Sequence, residues 1–250
     1  MKNILAIDIG NTSITAGVFR GGRLVKKSKT PTNASSAYGR FFKGLLRAAG
    51  IGAENTGAAV ISSVVPLASS RILMSLSKAG VKVAVLLGRD IEVPVVNRYS
   101  NKKEVGQDRL VNAFAAKRLY GAPAIIVDFG TAITFDIVSA GGEYLGGLIL
   151  PGIEMSLSGL YRKTALLPKV ELKAATAIIG KNTADSMRGG ILFGFGAMCD
   201  GLSARYRGLI GRRAKVIATG GNSRLIKRYS RAIQIVDEDL TLKGLALLAP

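Results

Sequence analysis

The first apolar stretch of the chain, Asn3–Ile9 (NILAIDI), is hydrophobic at nearly every position, as in a strand covered on both faces. A polar turn, Gly10-Asn11-Thr12-Ser13, separates it from a second strand pattern, Ile14–Phe19. Gly21-Gly22 then marks a hairpin turn into Arg23–Thr30. The same order returns later as Ala124–Asp128, the turn Phe129-Gly130-Thr131, Ala132–Val138, the turn Gly141-Gly142 and Glu143–Leu150. Asp128, Gly130 and Gly141 each lie 120 residues after Asp8, Gly10 and Gly21. One Asp-x-Gly turn is a weak signal. Two in one register, each followed by a strand and a Gly-Gly turn, mark a duplicated unit.

Beyond the first three-strand meander the patterns predict helix Ala34–Ala49, strand Ala58–Val65, helix Pro66–Gly80 and strand Val81–Leu87. Beyond the second they predict helices around Glu154–Leu166 and Asn182–Arg207, and then strand Ala214–Thr219. A short helix, strand Ala232–Val236 and a closing helix to Leu248 follow. The expected fold is α/β, with two βββαβα lobes over residues 1–118 and 119–250 facing each other across an interlobe cleft, and residues 88–107 as the looser connection.

Composition narrows the chemistry. The chain has no histidine, which removes Ser-His and Cys-His catalysis, His-ligated zinc and histidine general bases. Acid–base work falls to carboxylates, Lys, Tyr or Cys. The single cysteine, Cys199, excludes an intrachain disulfide and a cysteine metal cluster, and its apolar helical setting predicts buried packing. No apolar run reaches the roughly 18–20 residues of a membrane-spanning helix. The N-terminal apolar stretch is broken by Asp8 and lacks a small-residue cleavage site, so a cytoplasmic location is expected. The net charge of +19 is large, and Asp8 and Glu54 are the only acids before Asp90. Such a surface admits a nucleic-acid-binding or regulatory role. The cations are dispersed, however, with short clusters only at Lys26–Lys29 and Arg205–Lys215, and no zinc finger, aromatic RNA-binding signature or basic tail accompanies them. A solvated basic surface that also attracts anionic nucleotides is the favoured reading.

Each Asp-x-Gly turn combines an acid with glycines that let backbone amides approach a ligand. Thr12, Ser13 and Thr15 supply hydroxyl donors at the first turn, and Thr131 and Thr134 at the second. A carboxylate repels phosphate but holds a hard cation that bridges to it, which makes Asp8 and Asp128 candidate cation anchors. Tight hairpins with Asp capping backbone amides are the structural alternative. There is no P-loop, since Gly180-Lys181 is followed by Asn182, and no G-x-G-x-x-G fingerprint. Val216–Gly221 (VIATGG) ends in Thr219-Gly220-Gly221, either an adenosine-side contact or a plain strand-to-helix turn. Between the repeats, Glu104–Arg109 (EVGQDR) precedes an amphipathic helix pattern at Leu110–Leu119. Asp108 and Arg109 there either cap the helix or serve chemistry, Arg109 clamping a substrate carboxylate and Asp108 accepting a hydroxyl proton.

These blocks resemble the type III pantothenate kinase family. The resemblance rests on Asp8–Thr12 (DIGNT), Gly106–Arg109 with Val111-Asn112-Ala113, Asp128–Thr131 (DFGT), Leu145–Gly152 (LGGLILPG), Asn182-Thr183 with Ser186, and Thr219–Gly221, in the family's order across nearly the whole chain. It implies the acetate and sugar kinase/actin superfamily fold (actin-like ATPase, ribonuclease H-like) and ATP-dependent phosphorylation of the primary hydroxyl of pantothenate, the first step of coenzyme A synthesis. By matching positions Asp8, Gly10, Asn11, Thr12, Ser13 and Thr15 resemble the ATP phosphate loop, and Thr131 a second ATP contact. Asp108 resembles the proton acceptor, and Tyr99, Gly106, Gln107, Asp108, Arg109 and Thr183 the pantothenate contacts. Asp128 resembles the ligand of a monovalent cation, K+ or NH4+, needed beside Mg2+. The family is typically homodimeric, with the Thr183-type residue reaching the neighbour's substrate site. Lys102 follows Asn101 where the family commonly has Asn-Pro, and Ile133 stands where Thr is common in the second turn, removing one hydroxyl there. A kinase for a different hydroxylated acid is the remaining alternative.

Overall fold

The computed structural model describes residues 3–250 and divides into two compact units. One comprises the residues up to Val95 with Ser100–Ala115 and Leu240–Pro250; the other comprises Val96–Tyr99 and Ala116–Asp239.

In the first unit, β1 (Asn3–Ile9), β2 (Ser13–Arg20) and β3 (Arg23–Pro31) form the meander, followed by α1 (Tyr38–Ala48), β4 (Thr56–Ser63), α2 (Pro66–Ala79) and β5 (Ala84–Leu86). The sheet order is β3-β2-β1-β4-β5, with β1 antiparallel to β2 and parallel to β4. As the central strand, β1 has one face on α1 and α2 and the other under the helix Leu240–Leu247, which explains its nearly continuous apolar run. Leu5, Ile7 and Ile9 turn one way into a core with Phe42, Leu45 and Leu46 of α1 and Ile72 and Leu76 of α2. On α1 the buried positions Tyr38, Phe42, Leu45 and Leu46 keep helical spacing. The α-helix begins later than the pattern predicts, because Ser35–Ala37 forms a 3-10 turn. Gly80 ends α2 in the left-handed region, and the amide of Val81 returns to the Leu76 carbonyl at 3.0 Å. Val81 therefore closes the helix instead of opening a strand, and β5 is short.

The helix between the repeats, α3 (Gln107–Tyr120), starts three residues before the predicted Leu110. It is also not amphipathic in its first turns: Leu110, Val111, Asn112, Ala113, Phe114, Ala115 and Ala116 are all buried. Its alanines let neighbours approach from several sides, and the polar Asn112 is satisfied by the Thr241 hydroxyl at 2.7 Å. Thr241 lies on α7 (Leu240–Leu247), which joins the first unit. A Cβ on Gly244 would meet Val111 Cγ1 at 2.6 Å, and one on Gly17 would meet Leu242 Cδ1 at 3.1 Å, so the helix sits on bare backbone.

The second unit repeats the meander as β6 (Ala124–Phe129), β7 (Ala132–Val138) and β8 (Tyr144–Pro151). Then come α4 (Ile153–Lys163), α5 (Thr183–Ile210), β9 (Lys215–Thr219), α6 (Ser223–Lys227) and β10 (Ile235–Val236). Its sheet, β10-β9-β6-β7-β8, has the same order and sense about the central strand. Ile125, Val127, Phe129, Ile133, Phe135 and Ile137 pack with Leu157, Leu192, Cys199 and Ile226 from the helices. Burial pushes the Cys199 thiol up to about 12, so it is a neutral packing group. Among the described residues no helix is long and apolar enough to cross a membrane.

Glycine normally weakens a helix interior by about 1 kcal/mol relative to alanine. Within α5 that rule should change sign from one position to another. A Cβ at Gly196 would stand 2.1 Å from the Tyr229 carbonyl oxygen, whereas one at Gly201 meets nothing within 4 Å. Gly196→Ala is expected to lower the thermal midpoint, at an overpacking cost of about 1–3 kcal/mol. Gly201→Ala is expected to raise it slightly. Paired melting curves check both signs.

Candidate active site

At the C-terminal end of β1, Asp8 is paired in register with Thr15 on β2 and Ser62 on β4. Paired residues share a face, so the carboxylate stands between two hydroxyl-bearing strands on the face opposite Leu5, Ile7 and Ile9. Ser62 Oγ is buried and has no hydrogen-bond partner. The turn that follows is held from behind. Gly10 donates its amide to Ser13 O at 3.0 Å, and Thr32 donates its amide to Thr12 O at 3.1 Å. The Thr32 hydroxyl bonds the Gly10 carbonyl at 2.7 Å. Asn11 and Thr12 are exposed at the tip, and Ser13 and Thr15 are half-buried.

The second unit repeats the arrangement: Asp128 on β6 is paired with Thr134 on β7 and Thr219 on β9. The second turn is one residue shorter than the first, so pairing, and not the constant offset, identifies Thr134 as the counterpart of Thr15. Thr134 is not the free donor expected, because its hydroxyl donates to Asp136 at 2.8 Å. Ile133 is fully buried in the core, on the face away from Asp128. A threonine there would add no hydroxyl to the polar face. Two glycines shape the site. A Cβ at Gly220 (φ +84°) would stand 2.5 Å from Asp128 Oδ1, and one at Gly152 would stand 2.0 Å from the Thr131 carbonyl oxygen. Gly221 meets nothing and is exposed.

The segment Gly106–Arg109 lies in the first unit, and its acid and arginine fall in the first turn of α3, not before it. The Gly106 carbonyl accepts the amides of Arg109 (3.1 Å) and Leu110 (3.4 Å), and Asp108 Oδ1 accepts the Arg109 amide at 2.9 Å. Burial lifts the Asp108 carboxyl above the ordinary carboxylate range, opposed by the Arg109 amide and the Arg109 charge. Arg109 is itself only 7% exposed. Gln107 lays its amide over Gly88 (φ +75°), where a Cβ would stand 2.7 Å from Nε2, and its Oε1 is buried without a hydrogen-bond partner. Asn101 caps the 3-10 turn Lys102–Glu104 and bonds Glu104 Oε1 at 2.8 Å, so that turn forms without a proline.

Tyr99 belongs to the second unit, where its ring lies on Gly146 and stacks with Tyr144, centroids 6.5 Å apart. Thr183 is the exposed first residue of α5, behind the N-cap Asn182. Sequence reasoning misses Ser62, Gly88, Asp136, Tyr144 and Gly152, of which only Gly152 lies in one of the family-like motifs, Leu145–Gly152. A surface cavity of about 490 Å³ lies elsewhere, at the C-terminal end of α1 between Lys43, Arg47 and Glu54, and no candidate residue lines it.

A doubled sheet in which each central strand ends in an acid between hydroxyls belongs to the actin-like kinases and ATPases. Solved structures agree on the fold. A ROK family glucokinase from Streptomyces griseus, solved with glucose and AMPPNP, matches with a TM-score of 0.54 at 14% identity over 99% of each chain. A conserved Baf family protein from Campylobacter jejuni matches with a TM-score of 0.60 at 20% identity, over 97% of this chain and 96% of that one. The amino-acid sequence resolves the family within that class. The family profile described as type III pantothenate kinase matches residues 4–205. The type III pantothenate kinase of Myxococcus xanthus (strain DK1622) is 41% identical over 249 residues, covering 98% of this chain and 97% of that protein. The chain belongs to the type III pantothenate kinase family: it is a phosphotransferase, and ATP is its phosphoryl donor.

A Cβ at Gly106 would stand 2.4 Å from Asp108 Oδ1. Gly106→Ala is therefore expected to displace that carboxylate and lower kcat/KM by about 10²-fold, the scale of a one-ångström misplacement. Steady-state kinetics beside a melting curve separate this from unfolding.

Proposed function

We propose that this chain transfers the γ-phosphoryl group of ATP to the primary hydroxyl of pantothenate, giving 4′-phosphopantothenate, with Asp108 as the proton acceptor. The observation that carries the assignment of the base is the half-buried Asp108 carboxylate, which accepts the Arg109 amide at 2.9 Å at the start of α3. In the transfer the pantothenate oxygen bonds to the γ-phosphorus, the bond from that phosphorus to the bridging oxygen breaks, and ADP leaves. The hydroxyl proton passes to Asp108. Positioning and charge neutralisation supply most of the acceleration in such reactions.

Arg109 pairs with the substrate carboxylate, and Gln107, whose Oε1 lacks a partner, accepts a substrate donor. Tyr99 and Thr183 complete the pantothenate contacts, with Thr183 serving the neighbouring copy in a homodimer. The Gly10–Ser13 turn and Thr15 face the ATP phosphates, Thr131 is a second ATP contact, and Gly220 and Gly221 lie on the adenosine side. Asp8 fits a divalent ion: it is a hard oxygen donor beside a buried serine hydroxyl that makes no hydrogen bond. Mg2+, when bound, would neutralise the phosphate oxygens there. Asp128 fits a monovalent cation, K+ or NH4+, with Thr134 beside it. On this reading the basic surface draws in the anionic substrates, and the enzyme works in the cytoplasm.

Asp108→Asn is expected to abolish formation of phosphopantothenate, read by mass spectrometry, while ATP binding survives. Because folding raises the Asp108 pKa, its contribution to stability is present below the unfolded pKa and is lost as pH rises through the folded one. At neutral pH the ionised group costs stability, so the inactive Asn variant should melt no lower than wild type. The wild-type rate should fall as pH drops through an acid limb lying above the ordinary carboxylate value of about 3.9. Wild-type turnover in the variant would sink the assignment of the base.

K+ is expected to stimulate the enzyme over Na+, and Asp128→Asn to erase the difference. Equal rates in the two salts for wild type would count against Asp128 as a cation ligand.

A further inference from the structure

The second unit contains a buried acid that the reaction above does not use. Asp136 sits in the middle of β7, fully buried, and takes two hydroxyl protons. Thr134 Oγ1 donates to Oδ2 at 2.8 Å and the Tyr144 hydroxyl donates to Oδ1 at 3.0 Å. A hydroxyl has one proton to give. Once that proton is committed, its oxygen offers only lone pairs to anything else nearby.

The two donors lead to different subsites. Thr134 is the register partner of Asp128. With its proton turned to Asp136, its oxygen adds a second electron-rich group beside that carboxylate, a setting that suits a cation and not a phosphate oxygen. Tyr144 leads to Tyr99. Their rings stack at an interplanar angle of 30°, and a Cβ on Gly146 would stand 3.2 Å from the Tyr99 ring. The backbone of Tyr144 also holds the segment that carries Tyr99. It donates to Val96 O and accepts from the Arg98 amide, each at 2.9 Å, while Arg98 pairs with Glu143 at 2.6 Å.

We propose that Asp136 is a positioning residue that makes Thr134 a cation-facing oxygen beside Asp128 and holds Tyr144 as the platform for Tyr99, so that one buried carboxylate sets both the monovalent-cation subsite and the pantothenate subsite. This rests on the function proposed above and adds a residue and a coupling to it.

Three variants of the full-length protein divide the proposal. Tyr144→Phe should raise the KM for pantothenate roughly tenfold and leave the half-activating K+ concentration alone. Thr134→Val should do the reverse. Asp136→Asn should shift both, with the KM for ATP unchanged in all three. A readout without turnover accompanies them: the rise in melting temperature of the substrate-free protein in KCl over NaCl. That rise should persist in Tyr144→Phe and vanish in Thr134→Val and Asp136→Asn. The coupling is overturned if Asp136→Asn keeps both parameters at wild-type values. It is equally overturned if all three variants lose kcat only in proportion to folded protein. Should Asp136→Asn fail to fold, the opposite selectivity of the other two decides the question, and its absence rejects the proposal. If wild type makes no phosphopantothenate, the parent reading falls with the pantothenate half, and the melting shifts alone uphold or reject the Asp136–Thr134 half.

Discussion

Each unit is organised by a strand paired on both edges, antiparallel to one neighbour and parallel to the other. That double pairing satisfies the backbone of β1 and of β6, while helices packed on the sheets bury their apolar side chains. It also leaves the last polar side chain of each nowhere to turn except the face bounded by the two neighbours. The backbone of Asp8 and of Asp128 is thus fixed by a ladder of bonds on both sides. The hydroxyl residues beside them, Thr15 with Ser62 and Thr134 with Thr219, come from strands on opposite sides of each acid. Moving any of these strands by one residue would reverse its faces and put core side chains where the hydroxyls stand.

Asp108 is positioned in another way. It lies, half-buried, in the first turn of a helix whose next seven residues after Arg109 are buried. Burial makes the ionised form costly, and the helix-start amide and Arg109 offset part of that cost. The result is a carboxylate more basic than one in water, held where the backbone cannot easily shift. A site of this kind trades some stability for reactivity.

The strands are legible because their apolar runs are short and bounded by glycine-bearing turns: Asn3–Ile9 and Ala132–Val138 are read with the bounds the structure has. The helix at 107–120 departs from its pattern because alanine and asparagine look half-polar in a sequence, whereas small side chains permit burial all round. Ser62 and Asp136 were invisible for a different reason. Serine is common, and an aspartate in a strand has no sequence signal for whether it faces solvent or accepts two hydroxyl protons. The part of Ile133 was also hidden, since the turn residue count, not the residue type, decides which face it occupies. Tyr99 lay in what the sequence suggests is a loose connection, although backbone pairing with Tyr144 makes Val96–Tyr99 part of the second unit.

The placement of α7 bears on how the molecule comes into being. The first unit takes its last helix from Leu240–Leu247, and that helix covers the sheet face over Gly17 and packs by Gly244 on Val111 and Ala115. A ribosome therefore releases the meander, α1, α2 and α3 long before the element that seals them. Until then the face around Gly17 is uncovered apolar surface. The second unit, contained in Val96–Tyr99 and Ala116–Asp239, has all its strands and helices before that point. On vectorial synthesis the unit begun second is thus the one able to finish first.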